Sequence, residues 1–167
     1  MSRIKQRSED FRVRELLCDG VLRPSGEWRV FRVIKRKLTS LEAAARLAEL
    51  AGVAAGDVSM AGMKDRQGVT VQHMALRGGR DVSWRDERLR IEEVGCTDAP
   101  LTSEASSGNS FEIVVRGLDR VEIERMRTNV PLVREQGVVN YFDDQRFGNP
   151  RHGQGWIALQ LMRGQHD

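Results

Sequence analysis

Runs in which apolar and polar residues alternate recur along this chain, and a period of two sends successive side chains to opposite faces of a sheet. DFRVREL sets Phe11, Val13 and Leu16 among polar neighbours, and EWRVFRVIKR carries Trp28, Val30, Phe31, Val33 and Ile34. Pro24, Ser25 and Gly26 supply a turn between these runs, so they are expected to pair as a hairpin with basic side chains on its outer face. Strand-like runs return at Leu89 to Val94 and at Ser110 to Gly117, the second introduced by a loop through Ser106, Ser107, Gly108 and Asn109. The clearest helix is capped by Thr39 or Ser40, repeats Leu41, Ala44, Ala45, Leu47, Ala48 and Leu50 at helical spacing, and stops at Gly52. A second amphipathic helix is expected from Asp119 through Val121, Ile123, Met126 and Val130 to Gly137, kinked or broken at Pro131. Together these elements predict an α+β fold, with a mixed, mainly antiparallel sheet flanked by helices.

A chain of 167 residues can bury one core, and 40% apolar with 31% charged residues is the balance of a soluble globular domain, not of a disordered chain. One domain over residues 1–167 is therefore expected. No apolar run follows the N-terminal charges as a signal peptide requires, and none approaches membrane-spanning length, so no membrane partner is expected. Cys18 and Cys96 are far apart, and no histidine stands at ligand spacing from them, which speaks against a disulfide scaffold or a metal site and for a reducing cytoplasm. Charge is uneven: residues 1–38 hold 11 Lys or Arg against 5 Asp or Glu, and the rest hold 16 against 19. Such a basic segment suits a phosphate backbone, and 23 arginines to 4 lysines suit bidentate phosphate contacts, although genomic base composition explains the arginine excess equally well.

AGMKDRQGVTVQ, Ala61 to Gln72, sets one carboxylate, Asp65, between Lys64 and Arg66 in a turn marked by Gly62 and Gly68. Val58, Met60 and Ala61 read as the end of one strand, with Val69, Val71 and Met74 as the next buried element, which puts Asp65 at a mouth and not in a wall. Lys64 and Arg66 are expected to keep it ionised, and an ionised, oriented aspartate can act as nucleophile or general base. A solvated charged turn is the alternative.

As an ordered set, four blocks resemble the TruD-type transfer RNA pseudouridine synthases. DFRVRE (Asp10 to Glu15) is similar to the family's DFxVxE strand, AGMKDRQGVTVQ to its GxKDxxxxTxQ signature, GNSFEIVVRG (Gly108 to Gly117) to GNxFxIxLRx, and NYFDDQRFG (Asn140 to Gly148) to NYFGxQRFG. The last block departs from the family, which usually reads GxPNYFG, in having Val139 for the proline and Asp143 for the second glycine. The resemblance implies that Asp65 is the catalytic aspartate of an isomerase that turns uridine into pseudouridine in RNA, tRNA above all, without cofactor or metal. It also implies that Lys64 is the cation beside it, that Asn109 hydrogen-bonds near it, and that Phe111 stacks on the target uracil, with Gln145 and Arg146 shaping the substrate cleft. Read without the family, Phe111 is a core residue of an alternating strand, Asn109 a turn residue and Arg146 a structural ion-pair partner. Family members continue for about as long again beyond the QRFG block, so the chain resembles the N-terminal part of a catalytic domain. A missing C-terminal half or a second polypeptide is then expected to complete its sheet, and a noncatalytic RNA-binding fragment is the alternative function.

Overall fold

The computed structural model describes residues 3–138, which divide between two compact units, Met1–Leu118 and Asp119–Asp167. In the first, seven strands form one sheet: β1 (Phe11–Leu17), β2 (Trp28–Arg36), β3 (Val58–Met60), β4 (Val69–Arg77), β5 (Trp84–Arg85), β6 (Leu89–Thr97) and β7 (Ser106–Ile113). Their order is β5-β6-β2-β4-β1-β7, with β3 also on β4. Among these pairings only β1 with β4 is parallel, so the mixed, mainly antiparallel α+β architecture is as expected.

The hairpin of the first two strands does not form. β4 lies between them, bonded to β2 from Arg36↔Val69 to Trp28↔Arg77 and to β1 from Arg12↔Val69 to Arg14↔Val71. The connection over residues 18–27 is too long for one tight turn to dictate the pairing, and β4 takes the place between the two strands. Nor does β2 present an open basic face, because Arg29 pairs with Glu93 and Arg32 with Glu92 across the neighbouring β6. The fourth strand-like run is displaced as well. Ser106 to Asn109, expected as a loop, are already strand, paired to Leu17, Leu16 and Glu15 of β1, and β7 ends at Ile113 instead of Gly117.

One sheet face is covered by α1 (Ser40–Ala51), whose capping box joins Thr39 and Glu42 and whose end is Gly52 in the left-handed region at φ 73°. The buried stripe is Ser40, Ala43, Ala44, Leu47, Ala48 and Ala51, while Leu41 is 63% exposed. The helix thus turns its alanines to the sheet, letting it sit close on Phe31, Val33, Met74, Leu76 and Ile91. A smaller apolar cluster of Val30, Ala75 and Leu101 gathers Val21, Trp28, Val94 and Ala105 around it. Val69 and Val71 are only half-buried, and Thr70 and Gln72 take the inward positions expected for them.

Two devices fix the start of β1. Asp10 is buried and accepts two bonds from Arg116, 2.8 Å from Nε and 2.7 Å from Nη2, which clips the chain after β7 to the head of β1. Gly68 meets the same point from β4, where an added Cβ would lie 2.5 Å from the carbonyl oxygen of Phe11. Gly68→Ala is therefore expected to force β1 and β4 apart and cost about 1–3 kcal/mol, read as a lower urea midpoint. In the second unit, α2 (Arg120–Gln136) has an Asp119–Glu122 capping box, and Gly137 follows it. Pro131 lies inside this helix without ending it. No helix among the described residues is long and apolar enough to cross a membrane.

Candidate active site

The loop joining β3 to β4 is where β4 exchanges neighbours. β3 pairs with its far end at Met60↔Met74, and β1 with its beginning at Arg12↔Val69, so residues 61–68 emerge in the gap between β3 and β1. Asp65 is exposed at the crest of this loop. Its Oδ2 is 2.6 Å from Lys5 Nζ and its Oδ1 accepts the backbone N–H of Gln67 at 2.9 Å. The hydrogen bond from Lys5 first, then that from Gln67 and the charges of Lys5 and Lys35, hold its carboxyl below the usual carboxylate range.

Lys5, and not Lys64 or Arg66, is thus the cation paired with Asp65. Consecutive residues here project to opposite sides: Asp65 faces out, and Lys64 turns inward to Glu15, with Nζ 2.9 Å from Oε1. Glu15 is buried on β1, and its Oε2 accepts the backbone N–H of His73 at 2.8 Å and lies 3.2 Å from the ring Nδ1. Burial alone would raise this carboxyl, but hydrogen bonds from His73 and Lys64 outweigh it and hold it low.

Beneath the loop lies Lys35, 1% exposed, at the end of β2. Its ammonium donates to three carbonyls, Leu38 at 2.9 Å, Lys64 at 3.2 Å and Asp65 at 2.9 Å. Burial pushes its pKa down to about 8, against the pull of Asp65 and Glu42. Ser40, the first residue of α1, accepts the backbone N–H of Lys64 at 2.9 Å and donates to Gln72 Oε1 at 2.7 Å. The loop backbone is therefore tied to β2, α1 and β4 while the Asp65 carboxylate stays open, an arrangement that holds a charged group in place without enclosing it.

An aromatic arm extends from the carboxylate. Lys5 Nζ lies 4.0 Å from the ring centroid of Phe11, and Phe11 meets Phe111 at 6.2 Å with the rings tilted by 51°. Phe111, 58% exposed on β7, is thus no core residue of an alternating strand and has a free face for stacking. Asn109 is exposed opposite Glu15, and among the described residues no hydrogen bond joins it to Asp65. Gln145 and Arg146 lie outside the described residues. The described residues contain no group of three or more His, Cys, Asp or Glu arranged to hold a metal ion.

Lys5, Glu15, Lys35 and Ser40 were not marked by sequence reasoning. Glu15 and Lys35 each carry a usable signal: Glu15 is in phase with Val13 on β1, and Lys35 with Phe31 and Val33 on β2, so each is an ionisable group at an apolar-phase position. Lys5 has no such signal, because it precedes the first strand and reaches Asp65 only through the fold.

A family model described as tRNA pseudouridine synthase D (TruD) matches residues 1–167. The chain is 32% identical over 148 residues to the tRNA pseudouridine synthase D of Leptospira interrogans, covering 86% of this chain and 36% of that one. It is 38% identical over 173 residues to that of Pseudomonas entomophila, with 98% and 49% covered, and 29% identical over 171 residues to that of Aquifex aeolicus, with 99% and 44% covered. It thus spans less than half the length of these curated relatives. The crystal structure of a tRNA pseudouridine synthase D from Methanosarcina mazei shares the fold, with a TM-score of 0.78, 24% identity, and 88% of this chain and 35% of that one covered.

Proposed function

Because the chain belongs to the tRNA pseudouridine synthase D (TruD) family, we propose that residues 1–167 carry the catalytic aspartate of an isomerase that converts uridine to pseudouridine in tRNA. The observation that carries this is the exposed Asp65 carboxylate, paired with Lys5 and anchored through its backbone by Lys35. In such a reaction the bond from N1 of uracil to the ribose C1′ breaks, a bond from C5 to C1′ forms, C5 gives up its hydrogen and N1 gains one. Nothing is oxidised or reduced, so an ionised side chain held in place is the chemistry required. Asp65 supplies it, as nucleophile or as base.

A uridine inside folded RNA must leave its stack to reach an exposed carboxylate, and flipped bases are held by aromatic faces and edge hydrogen bonds. Phe111 offers such a face, since its ring is open and linked through Phe11 and Lys5 to Asp65. Asn109, Gln145 and Arg146 are proposed to line the substrate cleft on the strength of the family motif, with Arg146 toward phosphate. Lys64 is better read as the buried partner of Glu15, supporting the loop from beneath. The reaction on tRNA agrees with a cytoplasmic setting.

A noncatalytic RNA-binding role is the second reading. β7 ends the described sheet with one edge unpaired and with Phe111 and Ile113 exposed, so further chain or a second polypeptide is proposed to cover it. The test is a pseudouridine assay on tRNA transcripts, comparing the 167-residue chain with a version extended by the coding sequence downstream. The isomerase reading expects product at least from the extended chain; tRNA binding without product in either form leaves the second reading.

A further inference from the structure

A cavity of about 650 Å³ opens beside Asp65, and its walls are built for anions. Lys5, Arg7, Arg36, Lys37 and Arg66 line it against the single carboxylate of Glu9. It has no aromatic ring on its lining, so charge and not aromatic stacking dominates what it offers a ligand. Lys5 is engaged with Asp65, and Arg36 with Glu9 at 2.5 Å. Arg7, Lys37 and Arg66 make no ion pair among the described residues. Elsewhere on this sheet Arg32 and Arg90 share Glu92 and Arg77 pairs with Glu27, while the exposed Arg14 and Arg85 make no ion pair among the described residues. Three cations without a carboxylate partner thus share one cavity wall, where they repel one another unless an anion sits between them.

Backbone conformation singles out the same cavity. Lys5 at φ 56° and Lys37 at φ 53° are the only non-glycine residues with positive φ among those described, and both belong to its wall. L side chains disfavour that region, and such strain persists where surrounding structure holds it for a purpose. Here it accompanies the ammonium-bearing residues of two separate segments lining one cavity.

We infer that this cavity seats the phosphodiester next to the target nucleotide of an RNA strand, contacted by Arg7, Lys37 and Arg66; the inference rests on the RNA-isomerase reading above. Lys5 both pairs with Asp65 and lines the cavity, so a nucleoside held at the carboxylate brings its own backbone to this wall. The guanidinium forks of Arg7 and Arg66 match paired phosphate oxygens, and Lys37 adds a point charge.

The test is tRNA binding to the 167-residue chain over a series of salt concentrations, for wild type, an Arg7→Gln/Lys37→Gln/Arg66→Gln variant, and an Arg32→Gln/Arg77→Gln/Arg90→Gln control of equal charge. The first variant is expected to bind about tenfold more weakly and to flatten the slope of log affinity against log salt by about one to two, while the control changes neither. Unchanged binding in the first variant, or an equal loss in the control, overturns the inference. A wild type that makes pseudouridine while the first variant binds as tightly as wild type overturns the phosphate site alone; a wild type that binds no tRNA at low salt overturns the RNA reading with it. Should the triple variant melt early, Arg66→Gln alone, with an expected slope change about a third to a half as large, takes its place.

Discussion

Lys35→Met is expected to lower kcat for pseudouridine formation by about 10- to 100-fold with KM little changed, because it loosens the loop that carries Asp65 without removing a group that meets RNA. The ammonium of Lys35 is what closes the carbonyls of Leu38, Lys64 and Asp65 over the end of β2. Methionine fills the space and leaves those carbonyls without a donor, at about 1–3 kcal/mol for each that water cannot reach. Relief from burying a cation offsets part of this, so a net loss of about 2 kcal/mol is expected in a urea titration. The pH dependence has a definite sign. With a folded pKa of about 8 against an ordinary 10.5, the unfolded chain holds more protons between those values, so stability rises with pH across that window. The penalty is full below about pH 8 and gone above about 10.5, and Lys35→Met is expected to lack this rise. An equal rise in the variant, or a fall in KM with kcat intact, would contradict the role assigned to Lys35.

The strands were legible where alternation and burial agree. Val13, Phe31 and Val33 sit inward as their period requires, and of the two cap candidates, Thr39 and Ser40, Thr39 caps α1, with Glu42 completing the box. Partnership was not legible, since alternation marks a strand's faces but not its neighbours, and β4 entering between β1 and β2 is settled only by the whole sheet. The head of β7 was missed because Ser106 to Asn109 have turn composition, yet pairing with β1 overrides that local preference. In α1 the exposed Leu41 shows that size misled: small alanines face the sheet because the helix must lie close to it.

At the site, position was more legible than partnership. Gly62 and Gly68 do bracket the turn that exposes Asp65, and Gly68 is needed where β4 passes Phe11. Adjacent charges in the sequence, however, suggested Lys64 and Arg66 as companions of the carboxylate. The extended loop turns Lys64 inward to Glu15, and the cation that reaches Asp65 comes from sixty residues away. A buried Glu15, Lys35 and Gln72 behind the loop are what a single sequence hides, since each looks like an ordinary polar residue until its strand phase is known.

Asp65→Asn is the exchange with the largest expected effect. The amide keeps an oxygen to accept the N–H of Gln67, and the anchors of the loop are all to backbone atoms or to other side chains, so the fold and the open face of Phe111 persist. What disappears is the negative charge, and with it the capacity to attack or to take a proton. Pseudouridine formation is expected to fall at least about 1,000-fold, while tRNA affinity stays within about threefold, slightly raised because Lys5 loses its partner and is freed for phosphate. The most direct measurement is therefore the pseudouridine content of a tRNA transcript after incubation with the extended chain, wild type beside Asp65→Asn, at protein concentrations where both are shown to bind. The expected result is product from the wild type and none above background from the variant; product from Asp65→Asn at the wild-type rate would contradict the place given to this carboxylate.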